Sequence, residues 1–191
     1  MLIELAQDIS NKHIPTYTDK GIVHSYISVY DSLFEPYQER ARNVLEIGIE
    51  YGGSLRLWRG YFSNALITGI DIRDHLLDLD PRIRTFKRDA YTHYMVDTLN
   101  DRKYDIIIDD GSHKLEDQLF VMKHYIKLLN SPGLLIIEDI QKEEYIYELM
   151  DAVPLSLTPY VEAIDLRSLK GRYDDMFIKI EIPYADRSNF D

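Results

Sequence analysis

NVLEIGIEYGG, residues Asn43 to Gly53, decides how the rest of the chain is read. The apolar run Val44 to Ile47 stops at Gly48 and leads to the pair Gly52 and Gly53, and Ser54-Leu55-Arg56-Leu57-Trp58 then opens a helix. A strand, a glycine turn and a helix N-terminus in that order form a nucleotide-binding βα turn. Its glycines let backbone approach a ligand that a Cβ would block, and its helix start offers unpaired N–H groups. The spacing is G-x-x-x-G-G rather than the dinucleotide fingerprint G-x-G-x-x-G. Glu46, at the carboxyl end of the strand, would repel a pyrophosphate, which tilts the ligand from NAD towards a cationic nucleoside.

Outward from this turn the chain alternates strand and helix. Leu66–Asp71, the weaker Arg82–Lys87, Tyr104–Asp109 and Leu134–Ile137 read as further strands, the fourth with the continuous apolar middle of a strand covered on both faces. His113 to Leu129 reads as a helix with Ser112 as N-cap and Leu115, Leu119, Met122, Ile126 and Leu129 on one stripe, ended by Asn130-Ser131-Pro132-Gly133. Gln141–Met150 is a shorter helix. Tyr160–Leu166 and Met176–Ile182, joined around Lys170-Gly171-Arg172, form an antiparallel hairpin at one edge. Upstream, Leu2–Ile9 and Ile22–Leu33 suggest two helices separated by a loop over Pro15–Gly21. The expectation is one α/β domain over 1–191: a Rossmann-like doubly wound seven-stranded sheet (41–191), mostly parallel, preceded by a short helical cap (1–40).

The totals narrow the partners. A net charge of −11 argues against nucleic acid or a membrane surface as partner, since phosphate binding needs clustered Lys and Arg. With no cysteine, thiolate zinc sites, disulfides and redox thiols are excluded. No apolar run reaches a membrane span, and the N-terminus lacks a signal peptide's basic start and apolar stretch, so a soluble, cytoplasmic protein is expected.

In a doubly wound sheet, ligands bind outside the carboxyl ends of the strands, where strand order reverses. Acids stand at each of those ends: Glu46, Asp71, Asp89, Asp109 and Asp110, then Glu138 and Asp139. Asp71 follows the glycine turn at about the separation at which an acid accepts ribose hydroxyls. Asp89 reads equally well as a solvated strand end. The fourth and fifth strands should be neighbours, bringing Asp110, Glu138 and Asp139 around one point, where carboxylates repel unless a cation lies between them. Oxygen ligands favour Mg²⁺, or Mn²⁺ or Ca²⁺, over zinc. His113, read as lying on the first helical turn after Asp110, is placed to take a proton near neutral pH. Trp58 reads as a packing residue, and His24, His75, His93 and His124 show no metal-type spacing. Lys20, His24, Tyr26 and Tyr30 could close over the glycine loop as a lid.

These residues carry a resemblance. LEIGIEYGG followed by GIDI resembles the first two motifs of class I S-adenosylmethionine-dependent methyltransferases. IIDDGSHKLEDQ, PGLLIIEDI and the upstream TDKG…HSYISVY are similar to the branch holding macrocin and macrolide-sugar O-methyltransferases, over about Thr18 to Ile140. The resemblance implies Glu46, Gly48, Gly52 and Ser54 around the methionine part of S-adenosylmethionine, Asp71 on its ribose, and Asp89 and Ala90 near its adenine. Asp109 is grouped with this cofactor-binding set. It also implies Asp110, Glu138 and Asp139 as ligands of Mg²⁺ (or Mn²⁺) and His113 as general base, with Asp110 sharing the catalytic role. The expected activity is metal-dependent O-methylation of a hydroxyl on a sugar or glycosylated small molecule, by a homo-oligomer or a module of a larger glycan-modifying protein. A catechol-type O-methyltransferase, an NAD-dependent oxidoreductase and a non-catalytic domain of the same fold are the alternatives.

Overall fold

Seven strands form one sheet because their apolar residues alternate between two covered faces. The chain is described from a computed structural model over residues 1–11, 18–73 and 80–183, the side chains of 8–11 excepted. The strands are β1 (Asn43–Ile47), β2 (Leu66–Asp71), β3 (Ile83–Lys87), β4 (Tyr104–Asp109), β5 (Leu129–Ile137), β6 (Val161–Asp165) and β7 (Met176–Ile182). Their order is β3-β2-β1-β4-β5-β7-β6, with β1 to β5 parallel and β7 antiparallel to both β5 and β6. This is the expected doubly wound sheet with its antiparallel C-terminal pair, and strand order reverses between β1 and β4.

The helices are α1 (Leu2–Asn11), α2 (Asp19–Ile22), α3 (Tyr26–Phe34), α4 (Gly53–Tyr61), α5 (His93–Leu99), α6 (Leu115–His124), α7 (Glu143–Asp151) and α8 (Arg167–Lys170). On one face Val44, Ile106, Ile108, Leu134 and Ile136 pack against α1, α3 and α4. On the other, the alternate residues Leu45, Ile47, Ile107, Leu135 and Ile137 pack against α5, α6 and α7. This is the period of two expected for a strand buried on both sides. Trp58 is fully buried in a ring cluster with Tyr30, Phe34 and Phe62, so the packing reading holds.

Several expectations need correction. The expected lid does not form from Lys20, His24, Tyr26 and Tyr30. All four are buried, Tyr26 and Tyr30 in the sheet's own core, because such rings gain more by covering apolar strand residues than by facing a cleft. Thr18 and Asp19, just before them, reach the cavity over the strand ends. The Asn130–Gly133 segment, expected to end the helix before a strand beginning at Leu134, is itself part of β5, which starts at Leu129. It lies within the strand, next to a register shift against β4 and with a cis Ser131–Pro132 bond. The long helix read from His113 is α6 alone, starting at Leu115 and followed by a 3₁₀ turn, Tyr125–Leu128. Asp19–Ile22 is a helical turn where a loop was expected, whereas Pro15, Thr16, Tyr17 and His75 lie outside the described residues. Among the described residues no helix is long and apolar enough to cross a membrane.

Candidate active site

The site is built where β1 and β4 end side by side. Gly48 leaves β1 with φ 78, a conformation that glycine enters without penalty. A Cβ there would lie 2.0 Å from the Asp110 carbonyl oxygen. The neighbouring loop's backbone therefore requires glycine here in its own right, and Gly48 also faces the cavity. Asp71, at the end of β2, accepts the backbone N–H groups of Ile49 and Glu50 at 3.1 Å each, so this carboxylate ties down the turn between β1 and α4.

A cavity of about 570 Å³ opens over these strand ends, within the size range of small-molecule sites. Gly48, Ser54, Asp71, Asp89 and Ala90 line it, and so do Asp110, His113 and Asp139. Glu46, Gly52, Asp109 and Glu138 do not line it. Glu46 is fully buried, its Oε2 accepting the Ser54 hydroxyl at 2.6 Å. Burial pushes its carboxyl up to about 7 against the pull of the Lys20 ammonium. Asp109 is likewise pushed up to about 7 by burial, opposed by the Tyr91 hydroxyl that donates to it at 2.9 Å. Tyr91 also accepts the Ser112 N–H at 3.0 Å, so Asp109 and Tyr91 together fix the loop that precedes His113.

His113 sits in that loop with φ 56, not on the first turn of α6. Ser112 does not cap α6 either, since its hydroxyl donates to Asp117 at 2.6 Å. Among the described residues the non-glycine positions with left-handed backbone are Glu50, His113 and Asp139, and all three line the cavity. Backbone strain of about 1–3 kcal/mol per residue persists where the surroundings impose it, and it collects at functional sites.

The expected acids gather at the paired strand ends, with a buried ammonium among them. Register pairing of Asp109 with Ile137 brings the ends of β4 and β5 together, as anticipated. One oxygen each from Asp110 and Asp139 and one His113 nitrogen lie within 4.8 Å of one another. Glu138 meets Asp110 across the Lys20 ammonium. It is 1% exposed, accepts the Tyr30 hydroxyl at 2.6 Å, and receives the Lys20 ammonium at 2.7 Å. Lys20 also reaches Asp110 Oδ2 at 2.5 Å and Glu46 Oε1 at 3.6 Å. Burial alone would lower the pKa of this amine, but Asp110, Glu138 and Glu46 outweigh it and hold the pKa well above the ordinary value. Glu138 and Asp139 are shifted upward, in both cases first by burial.

Asp139 is steadied from below. Tyr26 donates to its Oδ1 at 2.5 Å, and buried His24 lies 3.4 Å from the same atom while contacting Asp175 at 2.7 Å. His113 Nε2 is 3.8 Å from Asp139 Oδ2. Asp110 and Asp139 offer oxygen ligands suited to a hard divalent ion, and His113 stands beside them. Sequence reasoning named the carboxylates but missed Lys20 as their partner. The TDK stretch held the residue, yet nothing in its local pattern shows that a lysine 90 positions before Asp110 ends beside it.

This cavity, at the reversal point of a 3-2-1-4-5-7-6 sheet, defines the class I methyltransferase fold. The MycE methyltransferase of the mycinamycin biosynthetic pathway, solved in complex with Mg and SAH, matches with a TM-score of 0.73 at 22% identity, over 100% of this chain and 56% of that one. Individual relatives are O-methyltransferases. The chain is 35% identical over 133 residues to the 8-demethyl-8-alpha-L-rhamnosyl tetracenomycin-C 2'-O-methyltransferase of Streptomyces olivaceus, covering 65% of this chain and 35% of that protein. It is 34% identical over 143 residues to the mycinamicin VI 2''-O-methyltransferase of Micromonospora griseorubida, covering 70% and 36%. The chain thus spans about a third of the length of these curated relatives. No family model matches it.

Proposed function

We propose that this chain is an S-adenosylmethionine-dependent, divalent-metal-dependent O-methyltransferase acting on a hydroxyl of a sugar or glycosylated small molecule. The observation that carries the reading is one cavity lined both by the glycine turn and Asp71 and by Asp110, His113 and Asp139. Relatives that methylate rhamnosyl tetracenomycin and mycinamicin VI support the acceptor class.

The residues divide the work. Gly48, Ser54 and Asp71 would seat the methionyl and ribose parts of the cofactor, with Asp89 and Ala90 at its adenine end and Glu46, Gly52 and Asp109 shaping this wall from behind. Bound there, S-adenosylmethionine supplies an activated methyl group. Asp110 and Asp139, with His113 beside them, would hold Mg²⁺ or Mn²⁺, which lowers the pKa of an acceptor hydroxyl. Glu138 contributes through Lys20 and Tyr30. His113 Nε2 takes the hydroxyl proton, and the imidazolium that results faces Asp139 Oδ2. The rigid strand ends contribute by holding acceptor and methyl donor in line.

The test is calorimetry with S-adenosylhomocysteine and with NAD, followed by an acceptor screen of glycosylated and catechol compounds with and without Mg²⁺. Binding of the homocysteine product together with Mg²⁺-dependent methylation of a sugar hydroxyl is expected. NAD binding alone, or turnover confined to catechols, would replace the reading.

A further inference from the structure

The turn that carries Glu138 and Asp139 is held by side chains more than by the sheet. The Glu138 N–H still donates to the Asp109 carbonyl at 2.9 Å, and the Ile140 N–H donates to the Met176 carbonyl at 3.0 Å. Between these anchors Asp139 holds φ 53, a left-handed backbone that a side chain disfavours and that persists only where neighbours impose it. Three side chains do so. Gln118 Nε2 donates to the Glu138 carbonyl at 3.0 Å, Gln141 Nε2 donates to the Asp139 carbonyl at 3.1 Å, and the Tyr26 hydroxyl accepts the Asp139 N–H at 3.3 Å.

Gln118 is the more buried of the two glutamines. It lies on α6 at 1% exposure, where the other buried residues are the apolar Val121 and Met122. A carbonyl can only accept, so the amide nitrogen has to face Glu138 and the amide oxygen has to point elsewhere. That oxygen is buried with no hydrogen-bond partner among the described residues. An orphaned buried acceptor costs stability, so an apolar side chain would serve packing better. The amide is explained by its bond to the Glu138 carbonyl. The helix that carries it begins two residues after His113. Gln118 therefore ties the end of β5 to the helix behind the His113 loop and sets how the acids of the two strand ends stand to one another.

We propose that Gln118, with Gln141 on the next carbonyl, is a positioning residue of the cation site: its amide fixes the Glu138–Asp139 turn against α6, so that the acids of β5 face Asp110 and His113 in one arrangement. This rests on the reading that the strand-end acids take a divalent ion, and it names what holds them. Residues behind a metal ligand set its affinity by orienting the ligand, without touching the ion. Gln141 is half-buried, and water can replace part of its bond, so its share is the smaller.

The test measures Mn²⁺ binding by paramagnetic resonance titration of the full chain as wild type, Gln118→Met and Gln141→Met. Calorimetry gives the S-adenosylhomocysteine affinity of each in the absence of metal. Methionine keeps the length of glutamine and removes the amide. Gln118→Met is expected to bind Mn²⁺ about tenfold more weakly than wild type, with S-adenosylhomocysteine affinity held within about twofold. Gln141→Met should show the same selective loss at smaller size. A merely structural glutamine would loosen the core and weaken both ligands together, so a parallel loss overturns the inference. Unchanged Mn²⁺ affinity in Gln118→Met overturns it too, while leaving the metal reading intact. Should Gln118→Met fail to fold, Gln141→Met decides: selective loss of Mn²⁺ sustains the inference, and unchanged affinity overturns it. Failure of wild type to bind Mn²⁺ overturns both the inference and the metal reading.

Discussion

Glu46 is fully buried beneath Ser54, and its folded pKa of about 7 stands above the ordinary carboxyl value of 4.5. A carboxyl raised on folding contributes stability that is fully present below the unfolded value and is lost as pH rises through the folded one. For this group the loss between about pH 4.5 and pH 7 is on the order of 3 kcal/mol. Glu46→Gln cannot titrate. Its urea midpoint is therefore expected to exceed that of wild type by a margin that grows from about pH 5 to about pH 8, and a constant margin would mean that the carboxyl is not held up by burial. His113 calls for a kinetic measurement. With His113→Ala, turnover is expected to fall about 10²- to 10⁴-fold, and calorimetry should find S-adenosylhomocysteine affinity unchanged, since the proposed cofactor contacts are made by other residues. Normal turnover would assign the proton to another group.

At the level of elements, the contact between two loops matters more than either loop alone. A Cβ at Gly48 would strike the Asp110 carbonyl in a backbone conformation that already disfavours side chains. Gly48→Ala is therefore expected to lose roughly 3 kcal/mol or more in denaturant unfolding, and to disturb the His113 loop as well. Tyr91→Phe removes the donor to Asp109 and the acceptor for Ser112, leaving a buried carboxyl with one hydrogen bond fewer. It should cost about 1–3 kcal/mol and lower turnover more than cofactor affinity. The strands were legible because β1, β4 and β5 are covered on both faces and read as apolar runs ending in acids. The convergence of Asp110 and Asp139 followed from that. Less legible were features set by contacts distant in sequence: the left-handed backbone of His113, the Lys20 ammonium, and the ring-filled underside of Asp139. The second demand on Gly48, the Asp110 carbonyl beside it, was not legible, because a turn glycine looks the same whatever fills the space next to it.

Taken whole, the molecule is a three-layer sandwich in which the first helices form part of one outer layer. Tyr26, Tyr30 and Phe34 bury themselves against the sheet, and two of these tyrosines also donate to Asp139 and Glu138. Removal of residues 1–40 should therefore abolish cooperative unfolding as well as activity, which circular dichroism during heating would register. A folded, cofactor-binding remainder would show that this segment is dispensable to the sheet. The interlock of Gly48 with the Asp110 backbone has a thermodynamic corollary. Any ligand that stiffens one loop favours the arrangement the other ligand needs, so nucleoside and cation should each raise the other's affinity, and by the same factor. A titration of either in the presence of the other would measure that reciprocity, and the chain would then behave as a coincidence detector, assembling its reactive end only when both guests have arrived.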